Sequence, residues 1–67
     1  MRELDLLLET FLAPGLDSLD DSELDNLERL LEQPDQDILA WLTGEPPPED
    51  AGLGGIVAIA QERIDRR

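Results

Sequence analysis

The chain has no cysteine, no histidine, no lysine and no tyrosine. Without cysteine there is no disulfide framework and no thiol chemistry. Without histidine the commonest general base and the commonest transition-metal ligand are both missing. No apolar run approaches the about 20 residues that a helix needs to cross a bilayer, and the opening residues do not have the form of a signal peptide. A soluble cytoplasmic protein is expected. Basic residues are scarce too: five, all arginine, stand against 17 acids, for a formal net charge of −12. A phosphate backbone requires a basic face that releases counterions, and five scattered arginines do not build one. An anionic membrane surface is disfavoured for the same reason. A basic partner, or one with a basic patch, would instead be steered in by the field.

What is present is apolar patterning at helical spacing. The 67 residues allow a single domain, 1–67, and 40% of them are hydrophobic, too many for disorder throughout. A chain of this size buries only about 60% of its unfolded surface, so its stability is marginal. From Arg2 to Ala13, Leu4, Leu7, Leu8 and Phe11 recur as one helical face, widened by Leu6 and Leu12, and Pro14-Gly15 stops the pattern. Asp20 and Glu23 have the spacing of a capping box, with Leu19 and Leu24 as its hydrophobic staple. Leu24, Leu27, Leu30 and Leu31 then line one face of a second helix that ends near Gln33, before Pro34.

A third helix is expected from Asp35, taken as its cap, through Ile38, Leu39, Trp41 and Leu42, with Gly44 as a left-handed C-terminal cap. The stretch Glu45-Pro46-Pro47-Pro48-Glu49-Asp50 is a stiff connector. A last helix is expected from about Pro48 to Arg66, with Leu53, Ile56, Val57, Ile59, Ala60 and Ile64 on its inner side. Gly52, Gly54 and Gly55 weaken its start by about 0.5–1 kcal/mol each relative to alanine. Arg63, Arg66 and Arg67 suit the negative end of its dipole. No strand-like alternation and no internal repeat occur. The expected fold is all-α, a small helical bundle of four helices.

Three features invite a chemical reading. Gly15-Leu16-Asp17-Ser18-Leu19, followed by an acidic helix, resembles the attachment site of an acyl carrier protein, in which the serine carries phosphopantetheine. The ordinary reading is a turn before a helix cap. Only 17 residues precede Ser18, short of the first helix and long loop that carrier proteins place there. Nine acids lie between Asp17 and Asp37, mainly on the outer face of the second helix and without calcium-loop spacing, which describes a solvated face better than a metal site. Trp41 fits either the core or a partner contact. A nucleophile, a base and a shielded pocket are all hard to find, so an enzyme is not expected, and the residues by themselves support a helical interaction module.

The order of elements adds to this. Arg2-Glu3-Leu4-Asp5, Asp17-Ser18-Leu19, Arg29-Leu30-Leu31-Glu32 and Asp37-x-x-x-Trp41-Leu42 follow one another at set spacing. This series resembles the SdhE family, the bacterial succinate dehydrogenase assembly factor 2 proteins, also described as YgfY or CptB-type, from Arg2 to about Arg67. The resemblance implies a family bundle of five helices. It also implies a role in covalent attachment of FAD to the flavoprotein subunit of succinate dehydrogenase or fumarate reductase, with no FAD held stably by the factor itself. In that system the flavoprotein supplies the attacking histidine, so the factor is expected to hold a conformation of its partner.

The family's Arg-Gly-x-x-Glu signature places Met1 and Arg2 at the variable positions and Glu3 at the glutamate; the arginine, the glycine and the family's first helix would fall before Met1. The resemblance thus makes Glu3 the expected partner-binding residue, with Arg2 and Asp5 beside it. Without a first helix, part of the face of Leu4, Leu7, Leu8 and Phe11 is expected to be bared, and self-association to follow. A carrier protein modified at Ser18 and an antitoxin-like interaction module are the alternatives.

Overall fold

In the computed structural model, which describes residues 2–66, the apolar pattern becomes four helices: α1 (Arg2–Leu12), α2 (Asp21–Leu31), α3 (Asp35–Leu42) and α4 (Ala51–Asp65), with no strand among the described residues. α4 is the central element and packs against the other three, while α1 also packs on α3. Its buried residues, Leu53, Ile56, Val57, Ala60 and Ile64, recur at three and four, which is the condition for one continuous inner stripe. Phe11, Leu30, Ile38, Ile56 and Val57 are the most completely enclosed large side chains. One core therefore joins all four helices.

The junctions follow from local chemistry. Asp20 caps α2: its carboxylate accepts the Glu23 N–H at 2.8 Å, and Glu23 accepts the Asp20 N–H at 2.9 Å, while Leu19 is buried and Leu24 packs on the core. Two backbone donors left over at the helix start are thereby satisfied. α3 ends in a Schellman closure. Gly44, at φ +116°, allows the Glu45 N–H to reach the Ala40 carbonyl (3.0 Å) and its own N–H to reach that of Trp41 (3.4 Å).

Three local expectations are corrected. Asp35 is not the cap of α3; Pro34 is, and its carbonyl accepts from the N–H groups of Asp37 and Ile38 at 3.0 and 3.1 Å. Proline needs no donor there, and Asp35 becomes the first helical residue, where its charge suits the dipole. α4 starts at Ala51 rather than Pro48, because Asp50 accepts the Leu53 N–H at 3.0 Å and fixes the start. Leu31 is 49% exposed and Leu24 only half-buried. Both lie roughly 100–120° around α2 from Leu30, and α4 covers the Leu30 side. The turn expected before the α2 cap is a 3-10 turn, Leu16–Ser18, between α1 and α2. Arg67, expected at the negative, C-terminal end of the α4 dipole, lies outside the described residues.

The apolar face of α1 is filled in part and open in part. Leu4 is 4% and Phe11 0% exposed, because α3 and α4 close over them. Leu7 and Leu8 remain half-buried, and Leu6, on the outer side, is 52% exposed.

A candidate partner-binding face on the first helix

Arg2, Glu3 and Asp5 all sit exposed in the first turn of α1. Leu4, between them, is buried and fixes the rotation of the helix about its axis. Glu3 and Asp5 are two apart and therefore point to opposite flanks, while Arg2 and Asp5, three apart, are neighbours. The structure thus brings all three to one end of the molecule but not onto one face. The two acids suit the positive end of the helix dipole. Among the described residues none of the three has an ion-pair partner. Solvated carboxylates and a guanidinium of this kind are available to another surface.

Leu6 continues the Glu3 flank three residues on, and Thr10 follows four residues later, its hydroxyl donating to the Leu6 carbonyl at 3.1 Å. Beyond it Thr10, Ala13, Pro14, Arg63 and Arg66 line an open depression of about 350 Å³. Arg63 closes the end of α1 here: its guanidinium donates to the Phe11 carbonyl at 3.3 Å and lies 5.6 Å from the centre of the Phe11 ring. A helix end leaves carbonyls without intrahelical partners, and α1 has no basic residue in its own last turn. Sequence reasoning assigned Arg63 only to the dipole of its own helix; nothing in the one-dimensional pattern reveals a cap supplied from 52 positions away. Arg66 pairs with Glu62 one turn earlier, both well exposed. A second open cleft, of about 460 Å³, lies between Leu7, the Leu42–Gly44 turn and Gln61, Ile64 and Asp65. Gln61 donates to the Trp41 carbonyl at its edge, at 2.6 Å.

Elsewhere, α2 and α4 are joined by Arg29 and Asp50. Asp50 accepts from Arg29 with one carboxylate oxygen and caps α4 with the other. The hydrogen bond from Arg29, then that from the Leu53 N–H, hold the Asp50 carboxyl below its ordinary range, and the same bond to Asp50 raises Arg29. Gly52 lies beneath this bridge. A Cβ there would stand 2.6 Å from Asn26 Oδ1 and 2.8 Å from Arg29 Nη1, so the bare backbone lets α4 approach α2.

Ser18 occupies the 3-10 turn, two residues before the cap of α2, and its hydroxyl donates to the Gly15 carbonyl at 2.7 Å. It is a turn residue tied to its own backbone. Trp41 is half-buried against the core. The acids of α2 form an exposed face, and no group of three acidic side chains among the described residues is placed to hold a metal ion. Among the same residues no helix is long and apolar enough to cross a membrane.

Comparison with known proteins finds relatives of this chain. The family described as "Flavinator of succinate dehydrogenase" matches residues 1–63. The FAD assembly factor SdhE of Yersinia pestis is 40% identical over 67 residues, all of this chain and 76% of that protein. The SdhE of a Serratia species is 37% identical over the same extent. The mitochondrial succinate dehydrogenase assembly factor 2 of Mycosarcoma maydis is 51% identical over 45 residues, 67% of this chain and 19% of that protein. These are named as assembly factors rather than enzymes. No solved structure matches the chain. With the family matched over nearly its whole length, the chain belongs to the succinate dehydrogenase flavinator family.

Proposed function

We propose that this chain is an FAD assembly factor: it binds the flavoprotein subunit of succinate dehydrogenase, or of fumarate reductase, in the cytoplasm and promotes covalent attachment of FAD to it. The observation that carries this is the family match across residues 1–63. The chain acts by holding its partner in a conformation in which the partner's own histidine meets the flavin. In this reading the chain performs no step of the chemistry, and the flavin stays with the partner rather than with the chain. Glu3 is the central contact, with Arg2 and Asp5 at the same end. All three are exposed, so their roles in binding and in folding separate.

The test is in-gel flavin fluorescence of the flavoprotein subunit, coexpressed with this chain in cells that lack their own assembly factor. A bright band that fades with Glu3→Ala, while the melting temperature of the variant stays within a few degrees, is the expected result. A dark band with the unaltered chain would remove the proposal for this partner, and a pull-down recovering no flavoprotein would favour a different interaction module. Self-association belongs to the same proposal in reduced form, through half-buried Leu7 and Leu8. Light scattering at micromolar concentration reads it, and a strictly monomeric mass would discard it.

A further inference from the structure

A protein–protein interface of usual size takes about 800 Å² and about 20–30 residues from each side. On a molecule exposing 4377 Å², that is about a fifth of the surface, and Arg2, Glu3 and Asp5 supply only three residues of it. A partner gripping the start of α1 must therefore extend across a neighbouring region, and the surroundings of the first turn differ in kind. On the Asp5 flank the exposed residue one turn on is another acid, Glu9. On the Glu3 flank the helix presents Leu6, one of three large hydrophobic side chains that are about half exposed. About 10 Å of helix rise separates Glu3 from Thr10, where the strip runs into the depression at Ala13 and Pro14. Arg66 stands at the far wall. Its partner Glu62 is 60% exposed and its own side chain 75%, so their pairing is worth little and an incoming carboxylate can replace it. In a chain of net charge −12, this hollow carries two arginines, Arg63 and Arg66, on its wall, which favours the approach of an acidic group.

We propose that the partner-binding surface runs along the outer side of α1, from Glu3 over Leu6 and Thr10 to the Ala13–Pro14 depression and Arg66. It receives a segment of the flavoprotein subunit that seats an apolar side chain on Leu6 and in the depression and points a carboxylate at Arg66. This rests on the assembly-factor reading above. It adds the direction of the interface and the chemistry of the segment that fills it. Interface cores draw most of their energy from a few apolar anchors, with charged groups at the rim setting register and salt dependence. Leu6 and Arg66 take those two roles.

The experiment measures the Kd of the full chain for the purified, FAD-free flavoprotein subunit, at low and at high salt. The variants are Leu6→Ser, Arg66→Gln, Glu3→Ala and, as a control, Gln36→Glu. Arg66→Gln and Gln36→Glu change net charge by the same single unit, so a general field effect moves both alike. Both Leu6 and Arg66 are exposed, and thermal melts of each variant establish that the fold is kept. The expected result is a loss of tenfold or more with Leu6→Ser and of fivefold or more with Arg66→Gln. The Arg66→Gln loss should shrink at high salt, and Gln36→Glu should stay within twofold. If Glu3→Ala weakens binding but either Leu6→Ser or Arg66→Gln stays within twofold, the strip is not the interface and the assembly-factor reading stands. If the unaltered chain does not bind the subunit, both fall.

Discussion

Three glycines in the first two turns of α4 offer one chemical change with opposite expected signs. In a helix interior glycine costs about 0.5–1 kcal/mol relative to alanine, through the backbone freedom it loses on folding. At Gly55 an added Cβ meets nothing within 4 Å, and the position is exposed. Gly55→Ala should therefore collect the full propensity gain of about 0.5–1 kcal/mol, which for a domain of this size raises Tm by about 2–8 °C. At Gly52 the same methyl would stand 2.6 Å from Asn26 Oδ1 and 2.8 Å from Arg29 Nη1. Both atoms end flexible side chains, so the helices need not part, but Arg29 cannot withdraw without straining its bond to Asp50, the cap of α4. Gly52→Ala should thus lose what it gains and lower Tm. The double substitution Asn26→Ala with Gly52→Ala should recover part of the loss, since it removes the closer of the two contacts. Far-UV circular dichroism during a thermal melt reads all three. A rise in Tm for Gly52→Ala equal to that for Gly55→Ala would refute the close approach of α4 to α2 on which the reasoning depends.

Phe11 is fully buried, so Phe11→Ala should cost about 3–5 kcal/mol. The whole domain has only about 3–10 kcal/mol in hand, and urea unfolding should show the variant largely unfolded in buffer, with Phe11→Leu still cooperative. A cooperative Phe11→Ala transition close to that of the unaltered chain would contradict the core. The Asp50 carboxyl is lowered by its bond from Arg29 and then by that from Leu53. A group depressed in the folded state adds stability that is fully present above its unfolded value, about 3.9, and is lost as pH falls through its folded value. Asp50→Asn keeps a capping oxygen but not the charge. Its Tm should lie below that of the unaltered chain at pH 7, and the two should converge as pH falls below about 4. Curves that stay parallel down to pH 2 would remove the Arg29–Asp50 bridge from the account. The losses expected for Leu6→Ser, Arg66→Gln and Glu3→Ala complete the set.

What could be read in one dimension is what one dimension encodes. The capping box at Asp20 and Glu23, the Schellman glycine at position 44 and the inner stripe of α4 depend on residues within four or five positions, and each is found where its spacing puts it. The errors begin where a second helix decides. Leu31 fits the stripe of α2 as well as Leu30 does, but α4 lies on one flank of that stripe only, and no periodicity says which. Which part of the α1 face stays open is likewise decided by packing: α3 and α4 cover Leu4 and Phe11 and leave Leu7 and Leu8 half-buried.

The site divides in the same way. Glu3 came from a resemblance and is exposed; its divergence from Asp5 follows from their separation of two on a helix, but which way each flank faces follows only from the rotation that buried Leu4 imposes. Arg63 is the sharpest case. Its charge was legible and its task was not, because the carbonyl it caps belongs to Phe11, brought to it by the packing of α1 on α4. That cap and the ring beneath it turn the end of α1 into a fixed wall of the depression. The same contact that stabilises the bundle therefore shapes the surface proposed for the partner. Substitutions at Arg63 should consequently lower stability and binding together, whereas those at Arg66 separate the two, which is why the latter carries the test.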